Sequence, residues 1–220
     1  MELTEFWTIL SANGIILDVE QLKLIERYSK ELSYWNEKVN LISRKDIDNI
    51  LENHILHSLC VLKYVDIPKK AQCIDIGTGG GLPGIPIKIA RPDVKMLLLD
   101  SIAKKIKITA MLAQHTTLRG IEAVCKRAEE FAKEKNNFKR FDVVFARGVA
   151  KIKTIVIWVK QMMKSDGKIV LLKGGDLRDE IEDAKKLFKN LELEEILIDM
   201  VGYEKFKKEE KKIILCKFSD

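Results

Sequence analysis

Cysteine is scarce in this chain, and its pattern narrows the possibilities. Cys60, Cys73, Cys125 and Cys216 form no C-x-x-C unit, and each sits in an apolar run. That pattern predicts reduced, buried thiols rather than disulfides or zinc ligands. Long apolar runs are also missing, so no membrane span and no membrane partner are expected. The first residues carry no basic stretch ahead of an apolar one, so no secretory leader is expected and the cytoplasm is the expected compartment. Histidine is limited to His54, His57 and His115. No His/Asp or Cys/His constellation stands out, and no metal site is expected. There is no internal repeat and no low-complexity linker.

What is present is enough apolar material for a core. Hydrophobic residues make up 46% of the 220 and charged residues 33%, which excludes a disordered chain. The net charge is +6, unevenly spread. Residues 1–70 hold nine basic and eleven acidic side chains, net −2; residues 71–220 hold thirty and twenty-two, net +8. The excess fits either a Lys/Glu-rich surface or an anionic partner.

Two halves of the pattern differ. Residues 1–70 read as a helical extension. Leu22, Ile25, Leu32, Trp35 and Val39 recur at helical spacing, which predicts a helix over 19–39; Ile55, Leu59 and Leu62 predict another over 53–64. Residues 71–220 read as the main domain. Short apolar runs predict strands at 73–76, 95–100, 123–125, 142–146, 169–173, 194–200 and 212–218. Helices fit between them at 85–90, 102–118, 152–164 and 179–187. Strand–helix alternation implies right-handed βαβ units and a parallel sheet. Only a charged turn at 207–211 separates the last two strands, which predicts a terminal antiparallel hairpin.

The first of these strands runs into Asp75-Ile76-Gly77-Thr78-Gly79-Gly80-Gly81-Leu82-Pro83-Gly84. Gly79, Gly81 and Gly84 fit G-x-G-x-x-G between a strand and a helix, where glycines let backbone approach a ligand. Pro83 and Pro86 suit a first helical turn. The second strand ends at Asp100-Ser101, where nucleoside-binding α/β folds place an acid on the ribose hydroxyls; Asp100 could alternatively cap the next helix. A dinucleotide and S-adenosylmethionine both fit this frame. Three features favour S-adenosylmethionine. Asp75 beside the loop would repel a pyrophosphate but attract ammonium and sulfonium groups. The terminal hairpin suits a methyltransferase sheet. The turn Arg127-Ala128-Glu129-Glu130 after the third strand can meet an adenine edge.

At this point the residues resemble the glucose-inhibited division protein B family. The resemblance rests on the glycine loop through Ile85-Pro86, on Leu98-Leu99-Asp100-Ser101, Arg147-Gly148 and Leu172-Lys173-Gly174. It extends to Trp35-Asn36, Asn40-Leu41 and Asn53-His54-Ile55-Leu56-His57-Ser58 in the helical part. It implies a class I (Rossmann-like) S-adenosylmethionine-dependent methyltransferase that modifies guanine N7 of one guanosine in small-subunit (16S) ribosomal RNA, releasing S-adenosylhomocysteine. It implies cofactor contacts at Gly77, Leu82, Ala128, Glu129 and Arg147. With Asp75, Gly79, Gly81, Asp100 and Ser101 these form the expected cofactor set. One departure is visible: His57 stands where the family motif carries an acid.

Guanine N7 has an in-plane lone pair and no proton, so methyl transfer needs positioning rather than a general base. Arg147 and Lys173 are the positioning candidates, and no residue is assigned as acid or base. His54 reads as a buried helix residue bonded to backbone, and Trp35 and Trp158 as core. Lys104, Lys105, Lys107, Lys173, Lys205, Lys207 and Lys208 are the candidate RNA phosphate ligands, against the alternative of solvated faces. The expected partner is 16S ribosomal RNA or the small ribosomal subunit, and the expected state is a monomer. The rival functions are an NAD-dependent oxidoreductase and a non-catalytic RNA-binding assembly factor.

Overall fold

The computed structural model describes residues 1–219, the side chains of Arg44 and Lys45 excepted. The chain begins with helices: α1 (Leu3–Ala12), α2 (Val19–Asn36), a 3-10 segment (Arg44–Asn49), a π-helical turn (Leu51–Leu56), α3 (His57–Leu59) and α4 (Val61–Tyr64). Asp18 starts α2 with a capping box: its carboxylate accepts from the Gln21 N–H, and the Gln21 side chain accepts from the Asp18 N–H. The buried face of α2 is Leu22, Ile25, Tyr28 and Leu32, the stripe that helical spacing predicts.

Strands and helices then alternate: β1 (Gln72–Ile76), α5 (Gly84–Ala90), β2 (Lys95–Asp100), α6 (Ala103–His115), β3 (Ile121–Cys125), α7 (Ala128–Phe131) and β4 (Phe141–Arg147). They continue as α8 (Ile152–Val159), β5 (Met163–Gly174), α9 (Arg178–Leu187), β6 (Leu191–Leu197), α10 (Lys205–Lys208) and β7 (Lys211–Phe218). The sheet order is β3-β2-β1-β4-β5-β7-β6. Strands β1 to β5 pair parallel with one another, and β7 is antiparallel to both β5 and β6. The expected α/β class with a mostly parallel seven-stranded sheet and a terminal antiparallel pair is what the chain adopts.

Side-chain alternation sorts the core into two layers. Cys73, Leu98, Val143, Phe145 and Val170 join Phe6, Leu10, Ile25, Leu32 and Leu59 in one cluster, so the N-terminal helices cover one face of the sheet. Ile74, Ile76, Leu99, Val144 and Leu171 face the other way, onto Phe131, Ile155, Val159 and Ala184 of α7, α8 and α9. The order reverses between β1 and β4, and open α/β sheets bind ligands beyond the strand C-termini at such a reversal.

Several local expectations shift. The helix expected over 152–164 ends at Val159, and the chain enters β5 at Met163. The last expected pair is not joined by a bare turn: α10 intervenes, seating Phe206 in the core. Cys60, Cys73 and Cys216 are buried, whereas Cys125 is exposed at the end of β3. No described helix is long and apolar enough to cross a membrane.

Candidate active site

The glycine loop links β1 to α5 and is tied down from four directions. The Thr78 N–H donates to the Leu99 carbonyl at 3.0 Å, and the Gly79 N–H donates to Asp100 Oδ2 at 3.0 Å. Thr109 Oγ1 on α6 donates to the Gly79 carbonyl, and the Tyr28 hydroxyl on α2 donates to the Gly80 carbonyl at 2.9 Å. Gly77, Gly79 and Gly81 all have positive φ. At Gly77 a Cβ would also sit 2.6 Å from a Val149 methyl, so glycine is required there on two counts.

A cleft of about 310 Å³ opens beside this loop at the C-terminal edge of the sheet. That volume lies at the lower end of the roughly 300–1,000 Å³ typical of small-molecule sites. Of the expected cofactor residues, Gly77, Asp100, Ser101, Ala128 and Glu129 line it. Asp75, Gly79, Gly81, Leu82 and Arg147 do not; Leu82 is packed in the core. Lys105, Lys126 and Arg127 bring positive charge to the wall, and Ile76, Leu99 and Val149 supply apolar surface. Trp158 packs against the core as expected and also lines the cleft. Its helical spacing in α8 carried no signal of this, because both a core and a cleft wall are apolar.

Asp100 answers the question of cap or ribose ligand in part. Its Oδ1 accepts from the Ile102 N–H at 2.9 Å and its Oδ2 from Gly79, so it caps the start of α6 and holds the loop at once. A carboxylate has about four acceptor sites, so capacity remains on the cleft side.

Asp75 lies behind the loop, fully buried. Its Oδ2 accepts from Thr78 Oγ1 at 2.7 Å and from the Gly84 N–H at 3.0 Å, while Oδ1 has no partner. Burial pushes its pKa up to about 7; the Thr78 and Gly84 hydrogen bonds and the Arg147 guanidinium work against that rise. Arg147 ends β4, one residue beyond the Ala146–Ile76 pair, beside Gly77. Its charge acts on Asp75, Tyr28 and Asp46, yet no described residue accepts a hydrogen bond or forms an ion pair with its guanidinium. A guanidinium without a hydrogen-bond partner and an orphaned carboxylate oxygen thus flank the same loop.

The remaining candidates are distributed differently. Lys173 is largely buried; its Nζ pairs with Glu180 at 2.7 Å and donates to the Ala150 carbonyl. Lys205 pairs with Glu52, Lys207 with Asp199 and Lys208 with Glu204. Lys104 and Lys107 are exposed on the first turns of α6, and Lys105 lines the cleft. Three lysines on the first turns of α6, with no acid among them, oppose the helix dipole. His115 joins α6 to α2 through Glu31 at 2.7 Å. Both ring nitrogens of His54 are buried without a hydrogen-bond partner, so the expected backbone bond is not formed. No group of three or more metal-ligating side chains occurs among the described residues.

Comparison with known proteins gives a consistent result. Residues 21–210 match the family model described as rRNA small subunit methyltransferase G. A protein named ribosomal RNA small subunit methyltransferase G from Chlorobium phaeobacteroides is 35% identical over 182 residues, 83% of this chain and 80% of that one. Its namesake from Flavobacterium johnsoniae is 41% identical over 155 residues, 68% of this chain and 71% of that one. Among solved structures, a putative S-adenosyl-L-methionine-dependent methyltransferase from Methanococcus maripaludis superposes with a TM-score of 0.59 at 16% identity. The match covers 80% of this chain and 92% of that chain, a likeness of fold.

Proposed function

From the premise that the chain belongs to the rRNA small subunit methyltransferase G family, we propose that it transfers a methyl group from S-adenosylmethionine to N7 of a guanosine in small-subunit ribosomal RNA. It is an enzyme, an rRNA methyltransferase. The finer assignment of atom and cofactor contacts is supported by one observation above all. Oδ1 of Asp75 and the Arg147 guanidinium, an acidic and a basic group beside the same loop, both lack a hydrogen-bond partner. A zwitterionic amino-acid group satisfies both, whereas the pyrophosphate of a dinucleotide meets only repulsion at the carboxylate.

The residues present therefore fit S-adenosylmethionine. Arg147 would hold its carboxylate, Asp75 its ammonium, and Asp100 its ribose hydroxyls. Ala128, Glu129 and Trp158 would enclose the adenine. When bound, this cofactor supplies an electrophilic methyl carbon and takes back the electron pair of the S–CH3 bond. Guanine N7 carries a lone pair and no proton, so the chain needs neither a general base nor a metal ligand set. Its task is to hold nucleophile and methyl in line and to exclude water. The tethering of the loop by Tyr28, Thr109 and Asp100 is suited to that, because positions fixed before binding cost nothing at the moment of reaction.

Lys105 lines the cleft and Lys104 and Lys107 are exposed on the same first turns of α6, and we assign the three to phosphates of the RNA. Transfer of tritium from labelled S-adenosylmethionine to small subunits lacking this modification tests the function. Incorporation at a guanine N7 is expected. No incorporation at saturating cofactor would favour a non-catalytic RNA-binding role, and tight NAD binding without S-adenosylhomocysteine binding would favour an oxidoreductase.

A further inference from the structure

Buried polar atoms without partners are rare in folded proteins, and each asks for an explanation. Among the described residues, the buried unpartnered side-chain atoms are Nδ2 of Asn36, Oδ1 of Asp75, both ring nitrogens of His54 and Nε2 of His57. The Arg147 charge acts on Asp75, His54 and His57 alike, and Asp46 acts on both His54 and Arg147. Three of these four residues thus share the field of Arg147, which ends β4 beside Gly77. Asp75 and Arg147 have a place in the proposed cofactor site. His54 and His57 do not.

The backbone beneath His54 is unusual as well. Leu51–Leu56 is a π-helical turn. Such turns are rare and occur frequently at functional sites, because the extra residue per turn rotates a side chain out of helical register. Here the rotated segment carries His54 inward: it is only 7% exposed, with Nε2 3.6 Å from Asp46 Oδ2, beyond hydrogen-bond reach. His57 follows directly, its ring 5.1 Å from that of Phe206. A histidine kept only for packing would sit more cheaply with its nitrogens bonded.

We propose that His54, presented by the π-helical turn, is a positioning residue that hydrogen-bonds the purine base drawn out of the RNA, with His57 completing the polar wall of that base subsite. The subsite rests on the reading of this protein as an RNA methyltransferase. It lies on the sheet face covered by the N-terminal helices, whereas the adenine-side cleft is lined by Ile76 and Leu99 from the opposite face. Cofactor and base would thus approach the end of β4 from two sides. A neutral imidazole offers one donor and one acceptor, which suits a purine edge carrying both. Burial, reinforced by Arg147, holds the His54 pKa down at about 4, so the ring adds no positive charge beside a purine that becomes cationic on methylation.

The test compares His54→Phe, which keeps the ring volume and deletes the nitrogens, with His54→Gln, which keeps hydrogen bonding. Single-turnover methyl transfer to unmodified small subunits is measured beside S-adenosylhomocysteine affinity. His54→Phe is expected to slow transfer by about 10- to 100-fold at saturating RNA, with His54→Gln markedly faster than His54→Phe and cofactor-product affinity kept within about twofold in both. A purely structural role predicts the reverse order, Phe tolerated and Gln damaging. That reversal, or a parallel loss of S-adenosylhomocysteine affinity, would overturn the proposal. Wild-type protein that transfers no methyl would overturn the underlying reading instead.

Discussion

The hydroxyl of Tyr28 donates a hydrogen bond of 2.9 Å to the carbonyl of Gly80, across 52 positions of the chain. This contact makes an N-terminal helix part of the glycine loop's scaffold. Burial pushes the phenol well above its ordinary pKa, so it stays a donor. A Cβ at Gly80 would lie 2.7 Å from Leu32 Cδ1 on the same helix, so that methyl would have to shift to admit one. Tyr28→Phe leaves the Gly80 carbonyl without that donor and is expected to lower unfolding free energy by about 1 kcal/mol. Chemical denaturation reads this directly, and an unchanged midpoint would remove Tyr28 from the scaffold.

Asp75 predicts a conflict between stability and binding. Its folded pKa stands near 7 against an ordinary value of 3.8. Between those values the unfolded chain has released the proton and the folded one retains it, so stability falls as pH rises from 3.8 to about 7. Asp75→Asn keeps an acceptor for Thr78 and Gly84 without the charge. Its stability relative to wild type should improve by on the order of 2 kcal/mol between about pH 5 and about pH 8. The same variant should lose most affinity for S-adenosylhomocysteine. Parallel pH profiles of the two proteins would contradict the burial account.

Asp100 has three tasks in this account: the Gly79 N–H, the Ile102 N–H and the ribose. Asp100→Ala is expected to weaken S-adenosylhomocysteine binding by about 1.5–3 kcal/mol, the range for hydrogen bonds to a charged group. Isothermal titration measures it. Undiminished affinity would leave Asp100 as a cap and loop tether only.

Lys104 and Lys107 have no acid beside them and sit outside the cleft. The double variant Lys104→Ala, Lys107→Ala should bind ribosomal RNA with a salt dependence shallower by about 1.5 in log–log slope, as two lost phosphate contacts predict. Cofactor affinity should not move. An unaltered slope would place the RNA elsewhere.

Much of this fold is legible in the sequence, and the exceptions have physical causes. Strands such as Lys95–Asp100 read clearly because a parallel strand buried on both faces is a continuous apolar run ended by a polar residue. The start of β5 is hidden because Lys164, Ser165, Asp166 and Gly167 are polar, yet this stretch extends the strand ahead of its apolar part. In the candidate site, the loop and Asp100 are visible because their spacing along the chain sets their chemistry. Partnerships between distant segments are not visible. Lys173 looks like a bare charge at a strand end until α9 brings Glu180 to 2.7 Å. His54 looks like an ordinary helical residue because no periodicity distinguishes a π-helical turn from an α-helical one over six residues.

Guanine-N7 methylation of small-subunit ribosomal RNA is read by mapping N7-methylguanosine along that RNA in cells with and without the protein. One N7-methylguanosine is expected to disappear without the protein and to return with wild type but not with Asp75→Asn. An identical N7-methylguanosine map in both cells would contradict it.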